Sequence, residues 1–598
     1  MFGRIVARLG GQMAAAGLAA ALLLAPPAFG ADPSKVLHYA FPAAETGFDP
    51  ARVSDIYSST VNEAIFDRLL TYDYLARPAK LVPMAAEGMP EVTENGRVYT
   101  FRVRKGIYFT PDPAFKGVKR ELVAQDFVYS FMRFVDPKIR SPYAFLVEGK
   151  IEGLDALAEQ AKKTGKFDYD AKVRGLEVVD RYTLRFRLTK RDFNFPYITG
   201  HLPSYVVARE VIEAYGDESI AHPVGTGPYT LKSWSRRAKI VLEANPDYRG
   251  FTWDFQPSAD AWDQGLIAAM RGKRMPQIGR VEITIIEEDQ SRWLAFNQKE
   301  LDMLNLPAVF RPQVFEVDKS LKPEWEEKGV SVFRGIDPDI TYAYFNFRDP
   351  LTGGFSREKL ALRRAMIMAY NLDEEIRVIR KNQAVPAEMP IPAGVVGHDP
   401  SYRSINRYNP ELANKLLDYF NYKRGKDGYR MLPDGKPLTI KYASGSSAID
   451  REFNELWKKS MDVIGIRMEF PVTTFADRVK AAKACQLMTA GFAWSADYPD
   501  GDNFMQLLYG PNTGQSNAGC YESKAFDAFY EKSTQIPDSP ERNRLFLEMT
   551  RQMEVDGAWS LHVSRERNQL LWPWVLGYKK HPVLQAEFVY MDIAPRRQ

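Results

Sequence analysis

Asn95-Gly96-Arg97-Val98-Tyr99-Thr100-Phe101-Arg102-Val103-Arg104-Lys105-Gly106 is the stretch from which the fold is read. Tyr99, Phe101 and Val103 fall on one face of an extended chain, and Thr100, Arg102 and Arg104 on the other. This period of two is that of a half-solvated strand. Asn95-Gly96 ahead of it is a tight-turn signal, because both residue types accept the backbone angles such turns need. The stretch therefore reads as a hairpin strand with one side on a core.

Outward from it the same alternation recurs. Leu184-Arg185-Phe186-Arg187-Leu188 is a second strand, and Val281, Ile283 and Ile285 mark a third. Between these the period changes to that of a helix. Val123, Phe127 and Phe131 form one stripe, Leu360 to Tyr370 a second helix with Ser356 as N-cap, and Asp373 is read as the cap of a third. Leu545, Met549 and Met553 stripe a helix near the end. Strands and helices alternating along the chain predict α/β architecture. Gly- and Pro-rich punctuation at 222–229, 349–354 and 386–400 predicts loops or boundaries.

Composition narrows the function classes. A chain of 598 residues corresponds to roughly four domain-sized units, or about two to three large ones. An aromatic content of 13% argues against disorder. Eighty Lys and Arg against 76 Asp and Glu leave a net charge of +4, too little over this length to draw the protein to nucleic acid or anionic membrane. Residues 1–31 carry Arg4 and Arg8, an apolar run from Met13 to Ala25, Pro26-Pro27 and the small residues Ala28-Phe29-Gly30-Ala31. That order predicts a cleaved secretory signal peptide, since an apolar run of about 13 residues is too short to span a bilayer. No cysteine lies within it, so no lipid anchor is expected. Export would place Cys485 and Cys520 in an oxidising space, where either a bridge or two buried thiols is allowed.

Motifs for catalysis and cofactor binding are missing. Gly225-Thr226-Gly227 is followed by Pro228, which has no N–H to offer a phosphate. Histidines 38, 201, 222, 398, 562 and 581 are scattered without metal-ligand spacing. Asp497, Asp500 and Asp502 do not fit a calcium loop. No cofactor and no metal are expected, and a binding protein is favoured over an enzyme. A hydrolase built on paired acids such as Asp497 and Asp500 stays as an alternative, because such pairs are assembled in space.

The remaining constellation is Met488 to Phe504, MTAGFAWSADYPDGDNF. An apolar strand ends in Trp494, Asp497 follows three residues on, and Tyr498-Pro499-Asp500-Gly501 turns the chain. A carboxylate delivered to a loop beside aromatics is suited to an ammonium group, with Trp494 and Tyr498 as flat walls. The competing reading is a turn acid that caps a helix beside a core tryptophan.

These segments, with others in order, resemble the dipeptide- and oligopeptide-binding proteins of ABC importers, the family 5 extracellular solute-binding proteins. The resemblance is carried by Glu45-Thr46-Gly47-Phe48-Asp49-Pro50, Phe66-Asp67-Arg68-Leu69-Leu70, the 95–106 stretch, Ala124-Gln125-Asp126-Phe127-Val128, Gly225-Thr226-Gly227-Pro228-Tyr229, Asn245-Pro246-Asp247-Tyr248, Phe345-Asn346, Leu362-Arg363-Arg364-Ala365 and Trp572-Pro573-Trp574-Val575-Leu576-Gly577-Tyr578. It implies a bilobal, hinged periplasmic-binding-protein fold with an additional domain. Domain I would comprise 32–75, 222–335 and 556–598, domain II 76–221 and domain III 336–555. It implies capture of short peptides between domains I and III, delivery to a membrane permease, a periplasmic location and a monomer. Trp494-Ser495-Ala496-Asp497 matches the family segment whose aspartate takes the peptide amine, which makes Asp497 the amine anchor. Glu45 and Asn346 join the candidate ligand set. Some oligopeptide binders carry an arginine six residues before that aspartate for the peptide carboxylate, but here Gly491 stands there. The family also holds binders of opines, sugars and metal chelates, so a non-peptide solute is the alternative within the fold.

Overall fold

The computed structural model describes residues 31–200 and 204–596. The signal-peptide expectation for 1–31 and His201 fall outside these residues, apart from Ala31.

The deciding stretch is a strand, Val98–Arg102, with Tyr99, Phe101 and Val103 buried and Arg102 exposed. It pairs antiparallel with Glu91–Thr93 and with Thr183–Arg187, which also pairs Leu176–Asp180. Asn95 and Gly96 hold φ of 53° and 83°, the left-handed region the turn signal calls for. Ala124–Arg133 packs on this sheet through Phe127 and Phe131.

A second sheet joins distant parts of the chain. Asp32–Phe41 runs parallel to Ile278–Ile285, followed in order by Lys239–Ala244 and Tyr229–Ser235. Val281 and Ile283 are fully buried here, as their alternation predicts. A third sheet holds Met303–Asn305, Val563–Leu571 and Ser331–Ile336, with 384–386 added to the 563–571 strand. The fourth has Arg467–Glu469, Thr439–Ala443, Thr489–Ser495, Asp339–Phe345 and Trp559–Leu561 in that order.

Two chain segments run side by side from the third sheet into the fourth. Ser331–Ile336 continues through Asp337-Pro338 into Asp339–Phe345, and Trp559–Leu561 continues through His562 into Val563–Leu571. Ion pairs knit the crossing. Asp337 accepts from Nε and Nη2 of Arg567 at 3.0 and 2.9 Å, and Asp339 accepts the Arg565 backbone N–H at 3.0 Å and its Nε at 2.5 Å.

The helix spanning Leu360 to Tyr370 runs from Arg357 to Ala369. Ser356 sits at its N-cap with extended backbone, but its side chain accepts no helix N–H. The third cap is corrected: Asn371 takes the Glu374 N–H at 3.1 Å, and Asp373 lies inside the first turn. Asn371 stands one residue before the turn, where its short amide reaches the orphan donor. Leu545, Met549 and Met553 line Pro540–Asp556 toward the core. Cys485 and Cys520 are bridged, with Cα atoms 6.1 Å apart.

Candidate functional site

The 489–495 strand positions the site. It pairs along its full length with 339–345 on one side. On the other it meets 439–443 only at Tyr442–Thr489 and Ala443–Ala490. Past Ala490, residues 491–495 therefore have no ladder partner on that edge among the described residues. Such an edge offers a row of backbone donors and acceptors to an extended ligand. Ala493 and Ser495 are exposed along it, and Trp494 is half-buried.

Trp494 and Asp497 are set by one side chain. Asn503 Oδ1 accepts from Trp494 Nε1 at 3.1 Å and from the Asp497 backbone N–H at 2.9 Å, while its Nδ2 donates to Asp497 Oδ2 at 3.0 Å. Asn503 is buried and follows the turn, so the loop fixes the direction of the Asp497 carboxylate. Asp497 is itself half-buried. Asn503 lies in the stretch singled out from sequence, but nothing in its spacing marks it as the residue that aims Asp497.

Aromatics from other parts of the chain converge on this loop. The Tyr197 ring stacks on Tyr498 with centroids 5.7 Å apart. Burial, with Asp497 and then Asp55 close by, pushes the Tyr143 phenol above its usual range. Tyr72 is raised by burial too, with smaller contributions from Tyr197, Asp497 and Asp500. The field of Asp497 thus reaches tyrosines supplied by residues 72 and 143, far from it in sequence. Sequence reasoning missed Tyr72, Tyr143 and Tyr197, which no local pattern connects to the loop.

The neighbouring acids have other work. Asp500 and Arg542 form a buried bidentate pair, both contacts 2.6 Å, and Asn194 Nδ2 adds a bond to Asp500 Oδ1 at 3.3 Å. Arg542 also donates from Nε to Ser533 O at 3.0 Å. Asp502 accepts from the Tyr498 hydroxyl at 2.6 Å. Among the described residues no cluster of three or more His, Cys, Asp or Glu could hold a metal ion.

Glu45 is buried. Its Oε1 accepts from Trp234 Nε1 at 2.5 Å and from the Arg237 N–H at 3.1 Å, and its Oε2 has no hydrogen-bond partner among the described residues. Asn346 is buried at the end of 339–345. Its Nδ2 donates to Cys485 O and Leu487 O at 2.7 and 3.0 Å, and its Oδ1 takes the Arg348 N–H at 2.9 Å. The Asn346 amide is thus engaged on all sides by backbone. The structure brings Trp494, Asp497 and Tyr498 together in one loop and leaves Glu45 and Asn346 in separate settings.

The model for bacterial extracellular solute-binding proteins, family 5 Middle, matches residues 80–516. The chain belongs to the bacterial extracellular solute-binding proteins of family 5. It is 25% identical to the periplasmic oligopeptide-binding protein OppA of Escherichia coli K12 over 546 residues, 89% of this chain and 87% of that one. It is 26% identical to di/tripeptide-binding protein 2 of Pseudomonas aeruginosa UCBPP-PA14 over 571 residues, 93% of this chain and 94% of that one. Among solved structures, the ABC-transporter-associated periplasmic binding protein DppA of Helicobacter pylori, in complex with the peptide STSA, superposes with a TM-score of 0.73 at 22% identity, covering 93% of this chain and 98% of that one. The family 5 protein described here accordingly has the bilobal α/β periplasmic-binding-protein fold, with the 337–339 and 562 crossings between its third and fourth sheets. Members of this family bind solutes. Among the described residues no helix is long and apolar enough to cross a membrane.

Proposed function

We propose that this family 5 protein captures short peptides in the periplasm, without altering them, and passes them to the permease of an ABC importer. The carrying observation is Asp497, half-buried and aimed by Asn503, at the end of a strand whose edge is open from 491 to 495. The open edge suits a peptide backbone, and the carboxylate suits its amine. Tyr72, Tyr143 and Tyr197 reach the same loop from elsewhere in the chain, so a ligand there would touch both lobes. Glu45, with a buried oxygen to spare, stays a candidate contact. Asn346 serves the site by holding the 485–487 backbone.

We keep the division into 32–75, 222–335 and 556–598, with 76–221 and 336–555 as the other two domains, although three strand pairings cross it: 70–72 with 81–83, 384–386 with 563–571, and 339–345 with 559–561. A ligand that favours the shut form shifts the lobes by its differential affinity for that form. The hinge of that movement is the pair of crossings at 337–339 and 562, where the chain passes between the third and fourth sheets. The likeness to peptide-binding relatives along nearly the whole chain supports this reading, as does the basic-then-apolar stretch at 1–31 for export.

The test is native mass spectrometry of the protein from the periplasm, followed by calorimetry with trialanine and N-acetyl-trialanine. A co-purified peptide and a loss of affinity on acetylation are expected. An opine, sugar or metal chelate as the released ligand, or turnover of the peptide, would overturn the proposal.

A further inference from the structure

Gly491 opens the unpaired edge, and the space beside it is already taken. A Cβ built on Gly491 would lie 2.3 Å from the Tyr442 hydroxyl. No larger side chain fits at 491 without displacing that ring, so a basic group for a ligand must come from another element.

Phe475–Lys483 is the helix that flanks this end of the edge. Phe475 packs edge-on against Phe492 with centroids 6.4 Å apart, and Phe492 in turn stacks on Tyr344 at 5.7 Å. One turn on, Arg478 sits with its guanidinium carbon 5.8 Å from the Phe475 ring. Among the described residues Arg478 has no carboxylate within ion-pairing distance, and its Nε is buried without a hydrogen-bond partner. Burial pushes the Tyr344 and Tyr442 phenols above their usual range, and the nearby Arg478 charge draws both part of the way back down. A half-buried guanidinium with an orphan donor is costly unless an anion completes it.

We propose that Arg478 forms the anion-binding pole of the ligand site and takes the terminal carboxylate of the peptide whose amine Asp497 holds. The inference rests on the reading of Asp497 as the amine anchor. The two poles set the ligand's length. Six residue steps separate Gly491 from Asp497, at most about 20 Å of extended chain, and the turn after Ser495 shortens it. An extended peptide of roughly three to five residues matches that span. Phe475, exposed beside Arg478, and Phe492 would face the last side chain of the ligand and favour an apolar one.

The experiment is titration calorimetry with tri-, tetra- and penta-alanine, each as free acid and as C-terminal amide, on the wild type, Arg478→Gln and Arg478→Lys. In the wild type, amidation should weaken binding about tenfold or more. In Arg478→Gln the free acids should lose about the same factor, and amidation should then make less than about a twofold difference. Arg478→Lys, which keeps the charge but not the fork, should fall between. Thermal melts establish that the variants are folded; Arg478 is half-exposed on a helix surface. Full affinity in Arg478→Gln, or an undiminished amidation penalty there, overturns the assignment of Arg478. If N-acetylation abolishes wild-type binding while Arg478→Gln changes nothing, the carboxylate pole falls and the Asp497 anchor stands. If no free-acid peptide binds the wild type, both fall.

Discussion

Replacing Asp497 by Asn removes one charge and almost no volume. Asn503 donates to Asp497 Oδ2 at 3.0 Å, and its own Oδ1 receives the residue 497 N–H at 2.9 Å. An asparagine there can still accept from Asn503 Nδ2 with its carbonyl oxygen. The loop should therefore keep its shape, and because residue 497 is half-exposed the cost to folding should be well under about 1 kcal/mol. What changes is the energy of an ammonium at the site. A unit-charge pair at 4 Å is worth about 4 kcal/mol at an effective dielectric of 20. Desolvating amine and carboxylate offsets part of that. A charge-assisted hydrogen bond contributes about 1.5–3 kcal/mol net, or roughly ten- to 150-fold in the dissociation constant. The assay is calorimetry with trialanine and N-acetyl-trialanine on both proteins. Asp497→Asn should weaken the free-amine peptide by that factor and leave the acetylated peptide within about twofold, since the carboxylate has no ammonium to meet there. Equal affinity of wild type and variant for trialanine would remove Asp497 from the ligand site. Equal losses for both peptides would mean that Asp497 shapes the loop and does not contact the amine.

Asp500→Asn should destabilise the protein by about 3–5 kcal/mol, because it strands the Arg542 guanidinium in the core; a chemical-denaturation midpoint unchanged from wild type would refute this. Gly491→Ala should cost about 1–3 kcal/mol by driving a methyl into the Tyr442 hydroxyl. The double variant with Tyr442→Phe should regain most of that loss, and additive losses would disprove the steric account. Burial alone would raise the Glu375 carboxyl, but the His562 imidazole at 3.1 Å, with Arg380 and Tyr370, more than offsets it and holds the group at about 2. A depressed folded value contributes stability that is present above the unfolded carboxylate value near 4.3 and lost as pH falls toward about 2. Wild type should thus lose on the order of 3 kcal/mol across that window, and Glu375→Gln should flatten this limb of the stability–pH curve; an unaltered acid limb in the variant would refute it.

The strand 98–102 was legible because burial on one face imprints a period of two on a few adjacent residues. The helix at 540–556 was legible for the equivalent reason at the helical period. Caps were read less well: Asp373 and Asn371 are both competent capping types two residues apart, and which one precedes the first turn depends on where the backbone enters the helix. The Asp497 loop stood out because an acid three residues after a tryptophan at a strand end is a local pattern. The hand that aims it, Asn503, and the tyrosines 72, 143 and 197 did not, since their relation to Asp497 exists only after folding.

Residues 485 and 520 make the division plain. The chain alone allowed a bridge or two thiols, and the 6.1 Å between their Cα atoms is a property of the packed loops. The sequence by itself determined the local periods, the ordered family segments and the types of group available, because those depend on neighbours within a few residues. Only the tertiary structure decided that Asp500 belongs to Arg542 and that, among the described residues, the 491–495 edge is left unpaired and Arg478 stands without a carboxylate. Partnership among charges and strand edges is settled by contacts between residues tens to hundreds of positions apart, and the chain carries no local mark of them.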